Sequence, residues 1–114
     1  MEEQLRRAGI TRRAYLNAAR RAAQRTGYPA KNIHFSTDAV HKLETRDEEG
    51  RIRRFGRVGY GDFILWTHLE RARKVPRGYA NEKRRLYRAR ATEIKGDWAK
   101  DKYSANNLAI NILW

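Results

Sequence analysis

Charge is the tightest constraint on this chain: 26 Lys and Arg stand against 13 Asp and Glu, a formal net charge of +13 on 114 residues. A compact fold must spread these cations over its surface or meet them with a counter-charge, because self-repulsion opposes the compact state. A polyanionic partner would relieve that repulsion, and a domain this basic carries the electrostatic footprint of a nucleic-acid binder. Yet the chain is not built like a disordered basic tail, which is poor in aromatics and branched aliphatics. It holds three Trp, three Phe and six Tyr, enough for one modest hydrophobic core in a single domain.

Other classes are narrowed by what is missing. There is no cysteine, hence no disulfide framework and no thiolate metal site. The opening MEEQLRRAGITRRAYL has no apolar run of the kind a secretory signal needs, and no stretch approaches the ~20 apolar residues of a membrane span. The expectation is a protein that is not secreted and works inside a cell or a virus particle.

Along the chain, Thr11 reads as the N-cap of a helix reaching Arg25, with Tyr15, Leu16, Ala18, Ala19, Ala22 and Ala23 on one face and arginines on the other. Gly27 and Pro29 end it. Residues 32–35 suit a short strand. Residues 39–46 and 51–56 read as two strands joined through Asp47-Glu48-Glu49-Gly50. The dense run Phe63–Trp66 suits either a buried strand or the start of a helix through Arg73, which periodicity alone does not separate. Asn81 is expected to cap a helix from Glu82 to Lys95, stopped by Gly96. The closing LAINILW suits a core strand or an anchor inserted into a partner. Together these give an α+β fold: an N-terminal helix within residues 1–30, a small antiparallel sheet, a C-terminal basic helix and an apolar tail. The expected core is Leu16, Ala19, Phe35, Leu43, Ile52, Phe55, Phe63, Leu65, Leu86, Ile94, Trp98, Leu108, Ile110 and Leu113.

Three constellations bear on function. Lys83, Arg84, Arg85, Arg88 and Arg90 crowd into about two helical turns, preceded by Arg71, Arg73, Lys74 and Arg77. A solvated charged face is the plain reading, but the unbalanced surplus favours phosphate contact. A second group, Arg51, Arg53, Arg54 and Arg57, is interleaved with Phe55, Tyr60 and Phe63, a pattern in which guanidiniums hold phosphates while rings stack on bases. Phe55 and Phe63 read better as core, and Tyr60 suits either role. The glycines of GRVGYG lack the spacing of a phosphate-cradling loop. Third, Asp62 with Glu93-Ile94-Lys95 matches the loose D…ExK outline of a metal nuclease. That outline is common by chance, and His34, His41 and His68 lie too far apart to form a metal-binding or catalytic motif with it. No cofactor and no metal ligand set is expected.

Residues 40–114 resemble small basic proteins encoded by large double-stranded DNA viruses. The resemblance rests on the order of four signals. HKLET comes first, followed by FGRVGYGDF. The basic helix Arg84-Arg85-Leu86-Tyr87-Arg88-Ala89-Arg90-Ala91 comes next, and Tyr103-Ser104 with a terminal Leu113-Trp114 pair comes last. The chain departs from the pattern at RARAT within the helix, and its first helix has no counterpart there. The resemblance implies a virion or host-intracellular protein that is not an enzyme, and it brings no catalytic residue with it. The leading expectation is a structural protein of a large DNA virus particle that contacts nucleic acid without sequence specificity. The contacts would come from Arg51, Arg53, Arg54, Arg57, Arg71, Arg73, Lys74, Arg77, Lys83, Arg84, Arg85 and Arg88. The alternative is a minor capsid or capsid-lining protein whose basic surface meets acidic faces of other virion proteins, anchored by Leu113 and Trp114. A small metal-dependent nuclease ranks third.

Overall fold

The computed structural model describes all 114 residues, Met1 to Trp114. The fold is α+β, with five helices and one small antiparallel sheet. Helix α1 (Glu2–Ala8) buries Leu5 and Ala8 and ends on Gly9, which takes a left-handed φ of 71°. Helix α2 (Arg12–Arg25) begins where the Thr11 hydroxyl accepts a hydrogen bond from the Ala14 amide at 3.0 Å. Tyr15, Ala19 and Ala23 recur four residues apart on its inner face and are fully buried. The two alanines let the C-terminal helix pack closely against α2.

The sheet runs in the order β1 (His34–Phe35), β2 (His41–Arg46), β3 (Ile52–Arg57). Its register pairs Phe35 with Leu43 and Leu43 with Phe55, which gathers the apolar side chains of all three strands. The β2–β3 loop is held by Asp47, whose carboxylate accepts from the Glu49 and Arg51 amides at 2.9 Å each.

The Phe63 run is helical. Asp62 caps α3 (Phe63–Arg71) by accepting from the Leu65 amide at 2.9 Å. Helix α4 covers Tyr79–Thr92, so it starts three residues before the expected Glu82 and stops three before Lys95. Asn81 is not its cap; Gly78 is. The amide at Ala80 is met instead by the Glu70 carboxylate of α3 at 2.8 Å. The closing apolar segment is neither strand nor free anchor. Ser104 caps α5 (Ala105–Leu108), which widens into a π turn over Ala109–Leu113.

A single core joins α1, α2, α3, β2, β3 and the C-terminal helix around Tyr15, Ile33, Leu43, Phe55, Leu108 and Ile112. Three expected core residues are exposed: Ile52, Leu86 and Ile94, at 40%, 40% and 55%. Ile52 opens the edge strand, and Ile94 falls beyond the true end of α4. Leu86 faces solvent because α4 rests mainly on α3 and buries only Ala80 and Ala91. Leu16, Phe35, Phe63, Trp98 and Ile110 are half-buried.

Candidate nucleic-acid interface

The β3–α3 connection forms a joint around a buried ion pair. Lys42 Nζ lies 2.8 Å from Asp62 Oδ2, with the two side chains 2% and 1% exposed. The same oxygen accepts the Tyr15 hydroxyl at 2.5 Å, and Lys42 also donates to the Tyr60 carbonyl. Burial, and then the charge of Asp62, push the Tyr15 hydroxyl well above its ordinary pKa, so it stays a donor. A buried charge pair is stable only when its remaining hydrogen-bonding capacity is met, and here Asp62 is met by Lys42, Tyr15 and the Leu65 amide.

Residues of two sequence segments meet at this joint. Lys42 comes from HKLET, while Gly56, Tyr60, Asp62 and Phe63 come from FGRVGYGDF. Gly56 holds a left-handed φ of 73°, and a Cβ there would stand 2.6 Å from Leu113 Cδ1. Gly61 faces the Trp66 indole just as closely. Trp114 stacks on Tyr87 with centroids 4.4 Å apart and planes 9° from parallel. Arg88 donates to the Trp114 carbonyl at 2.9 Å. Leu113 is therefore core and Trp114 is bound within the fold. The expected use of Leu113 as an anchor in a partner is corrected by this packing.

The cations divide into two groups. In the first, carboxylates of the chain already neutralise the side chains. Arg51 pairs with Asp47 and Glu49, Arg53 with Asp47 and Asp101, and Arg54 with Asp38 and Glu44. The hydrogen bond that Arg53 donates to Asp101 at 2.6 Å raises the Arg53 pKa further. Arg85 is paired with Glu82 at 2.6 Å. Three of the four arginines in the expected Arg-and-aromatic loop are thus engaged internally, and only Arg57 has no carboxylate within ion-pair distance. In the second group no carboxylate is within 4.0 Å. It holds Arg57, Arg71, Arg73, Lys74, Arg77, Lys83, Arg84 and Arg88 from the expected set, together with Arg21 and Arg25 of α2. Lys74 donates to the Arg7 carbonyl at 2.6 Å, and Lys83 lies over the rings of Trp66 and Tyr79.

Much of this second group converges. A recess of about 350 Å³ opens between α2, α3, α4 and the C-terminal helix. Arg21, Arg25, Arg71, Arg84 and Arg88 line it, with Thr67 and His68, and no Asp or Glu does. The Arg84 guanidinium lies 4.6 Å from the Phe63 ring centroid. Burial, and then the charges of Arg88 and Arg25, push its pKa down from the ordinary arginine value. On the other side of Leu113 and Trp114 a second recess of about 520 Å³ is walled by Tyr60, Trp66, Tyr87 and Trp114, with Arg57, Lys83 and Arg90. Its only carboxylate, Asp62, is engaged by Lys42.

The nuclease outline is not assembled. Asp62 is consumed in the joint, while Glu93 and Lys95 are exposed beyond the end of α4. No three His, Asp or Glu side chains stand close enough to share a metal ion. The ring Nδ1 atoms of the histidines have separate local partners: Arg20 for His34, Asp38 for His41 and the Ile64 carbonyl for His68. No helix is long and apolar enough to cross a membrane. Compared with protein-family models, curated proteins and solved structures, the chain matches none.

Proposed function

We propose that this is a non-enzymatic, nucleic-acid-binding structural protein that grips the phosphate backbone through the arginines of α2, α3 and α4. One observation carries the reading: carboxylates of the chain meet the sheet arginines Arg51, Arg53 and Arg54, while five arginines line one recess with no Asp or Glu among its residues. Uncompensated guanidiniums grouped this way suit a polyanion, and phosphate contacts of this kind set orientation without reading sequence. On the resemblance of residues 40–114, the proposed setting is the particle of a large DNA virus or the interior of its host.

A second reading draws on a separate feature. Leu86 and Ile94 are exposed on and just past α4, beside its arginines. A capsid-lining role, with α4 against an acidic, partly apolar protein face, would use both.

Binding to a short DNA duplex, followed by fluorescence anisotropy across a salt series, tests the first reading. Counterion release predicts a log–log slope of about 0.9 per phosphate contacted. The Arg84→Ala/Arg88→Ala double variant is expected to weaken binding at least tenfold and to flatten the slope. Arg51→Ala, already paired within the chain, is expected to change binding less than twofold. Salt-independent binding, or equal losses in the two variants, would overturn the reading.

A further inference from the structure

We propose that the recess between α2, α3 and α4 is a built site for a single phosphate group, a claim that rests on the nucleic-acid reading and makes it specific. The arginines are the first part of the case. Arg21 and Arg25 from α2, Arg71 from α3, and Arg84 and Arg88 from α4 all line one cavity. Three helices thus aim their charge at a common volume. A guanidinium offers its donors in a planar fork that matches phosphate oxygens.

The second part is independent of charge. Four buried side-chain polar atoms have no hydrogen-bond partner in the fold: Thr45 Oγ1 and Arg54 Nε on the sheet, and Arg84 Nε and Thr67 Oγ1 on residues of this recess. Buried polar atoms are nearly always paired, so an orphan calls for an explanation. Two orphans on residues that line the same cavity have a common one: a ligand rich in acceptor oxygens. The Thr67 hydroxyl is a donor that ordinarily bonds back to the preceding turn of its own helix, and here it makes no such bond.

The third part is rigidity. The Arg84 guanidinium lies on the Phe63 ring, and Arg88 is tethered to the Trp114 carbonyl. These two donors are oriented before any ligand arrives, which limits the ordering that binding requires. In the empty site Arg84 is opposed by Arg88 and Arg25, and an anion removes that opposition. A carboxylate brings one charge and two free oxygens to five guanidiniums; a phosphate monoester brings nearly two charges and three free oxygens, and a backbone diester brings one charge and two free oxygens held tetrahedrally, backed by two ester oxygens. The phosphate could be a backbone diester or a terminal monoester of a strand, since the chemistry is shared.

Inorganic phosphate titrated into the whole protein, followed by calorimetry and by the backbone and arginine Nε–H resonances in NMR, provides the test. The expected result is one site per chain, with the largest shifts at Thr67 and Arg84. Arg84→Met is expected to weaken phosphate at least tenfold and Thr67→Val severalfold, while Arg57→Met leaves it within twofold. Thr67→Val removes an orphan hydroxyl, so it retains the fold, and the NMR map on unaltered protein does not depend on any variant. No saturable phosphate binding, or shifts spread evenly over all arginines, overturns the site even if duplex binding persists. Phosphate bound in the recess with no binding of duplex or single-stranded DNA upholds the site and overturns the nucleic-acid reading. Oligonucleotides with and without a 5′-phosphate assign the source: a tenfold preference for the phosphorylated end identifies a terminal monoester, and equal affinity identifies the backbone.

Discussion

Asp62 looks at first like a catalytic carboxylate and turns out to hold the fold together. It caps α3, neutralises Lys42 and takes the Tyr15 proton donor. Asp62→Asn keeps the cap but strands a buried ammonium, and breaking a buried pair in this way costs about 3–5 kcal/mol. Tyr15→Phe removes one hydrogen bond to a charged acceptor and is expected to cost about 1.5–3 kcal/mol. Urea denaturation of the two variants checks both values and their order. Arg73 makes the opposite case. It is the only non-glycine residue with a positive φ, 59°, just past the end of α3. Helices commonly end there on glycine, because a side chain in that conformation costs about 1–2 kcal/mol. Arg73→Gly is expected to raise stability by about 1 kcal/mol while weakening duplex binding, a pairing of outcomes that a purely structural arginine would not give. Denaturant midpoints and anisotropy measure the two sides.

Among the elements, α2 and the β2–β3 hairpin were legible because their signals are local. Thr11 caps within three residues, and Asp47 and Gly50 build the loop that joins the strands. The start of α4 was not legible, since the group that meets its first turn, Glu70, lies on another helix. Helix α1 was missed because it is a single short segment without a side-chain cap. LAINILW is apolar apart from Asn111, too short a run for its period to distinguish strand from helix; the Ser104 cap decides it. The pairing of Arg51 with Asp47 and Glu49 is local to the hairpin, but Arg53 and Arg54 reach Asp101, Asp38 and Glu44, which only the folded sheet brings near. That pairing makes the sheet acid-sensitive. Hydrogen bonds from the His41 amide and ring hold Asp38 well below the usual carboxylate range. Asp47 is lowered despite opposing burial, by hydrogen bonds from the Arg51 amide and Arg53. Asp101 is lowered first by its hydrogen bond from Arg53. A carboxylate depressed in the folded state contributes stability above its unfolded pKa, ~4, and loses it as pH falls through the folded value. The melting temperature is therefore expected to hold from neutral pH to about 4 and to fall below it, with a shallower fall in Arg53→Ala. Thermal scans at stepped pH test this.

At the scale of the molecule, the candidate recess was half visible. Arg71, Arg84 and Arg88 stood out by their crowding on the chain, while Arg21, Arg25 and Thr67 did not, since only the packing of α2 and α3 beside α4 brings them to it. Lys42, the residues of FGRVGYGDF and Leu113 meet at one joint although they lie far apart in the chain. The charge imbalance has a global consequence as well. With +13 on the chain, repulsion among unpaired arginines works against the folded state. Raising salt from about 20 to 200 mM shrinks the Debye length to under 10 Å and is expected to raise the melting temperature. A polyphosphate is expected to do the same at far lower ionic strength. A melting temperature that fell with salt would mean that the internal ion pairs outweigh the repulsion.

The contact between Gly56 and Leu113 also orders events in time. Leu113 lies more than fifty residues beyond Gly56, so it can close over the joint only after the chain between them has folded back. Tyr28 and Thr26 likewise wait for Asn111. The recess that gathers the arginines of α2, α3 and α4 shares Asn111, Ile112 and Leu113 as part of its wall, so it is expected to be complete only in the last step of folding.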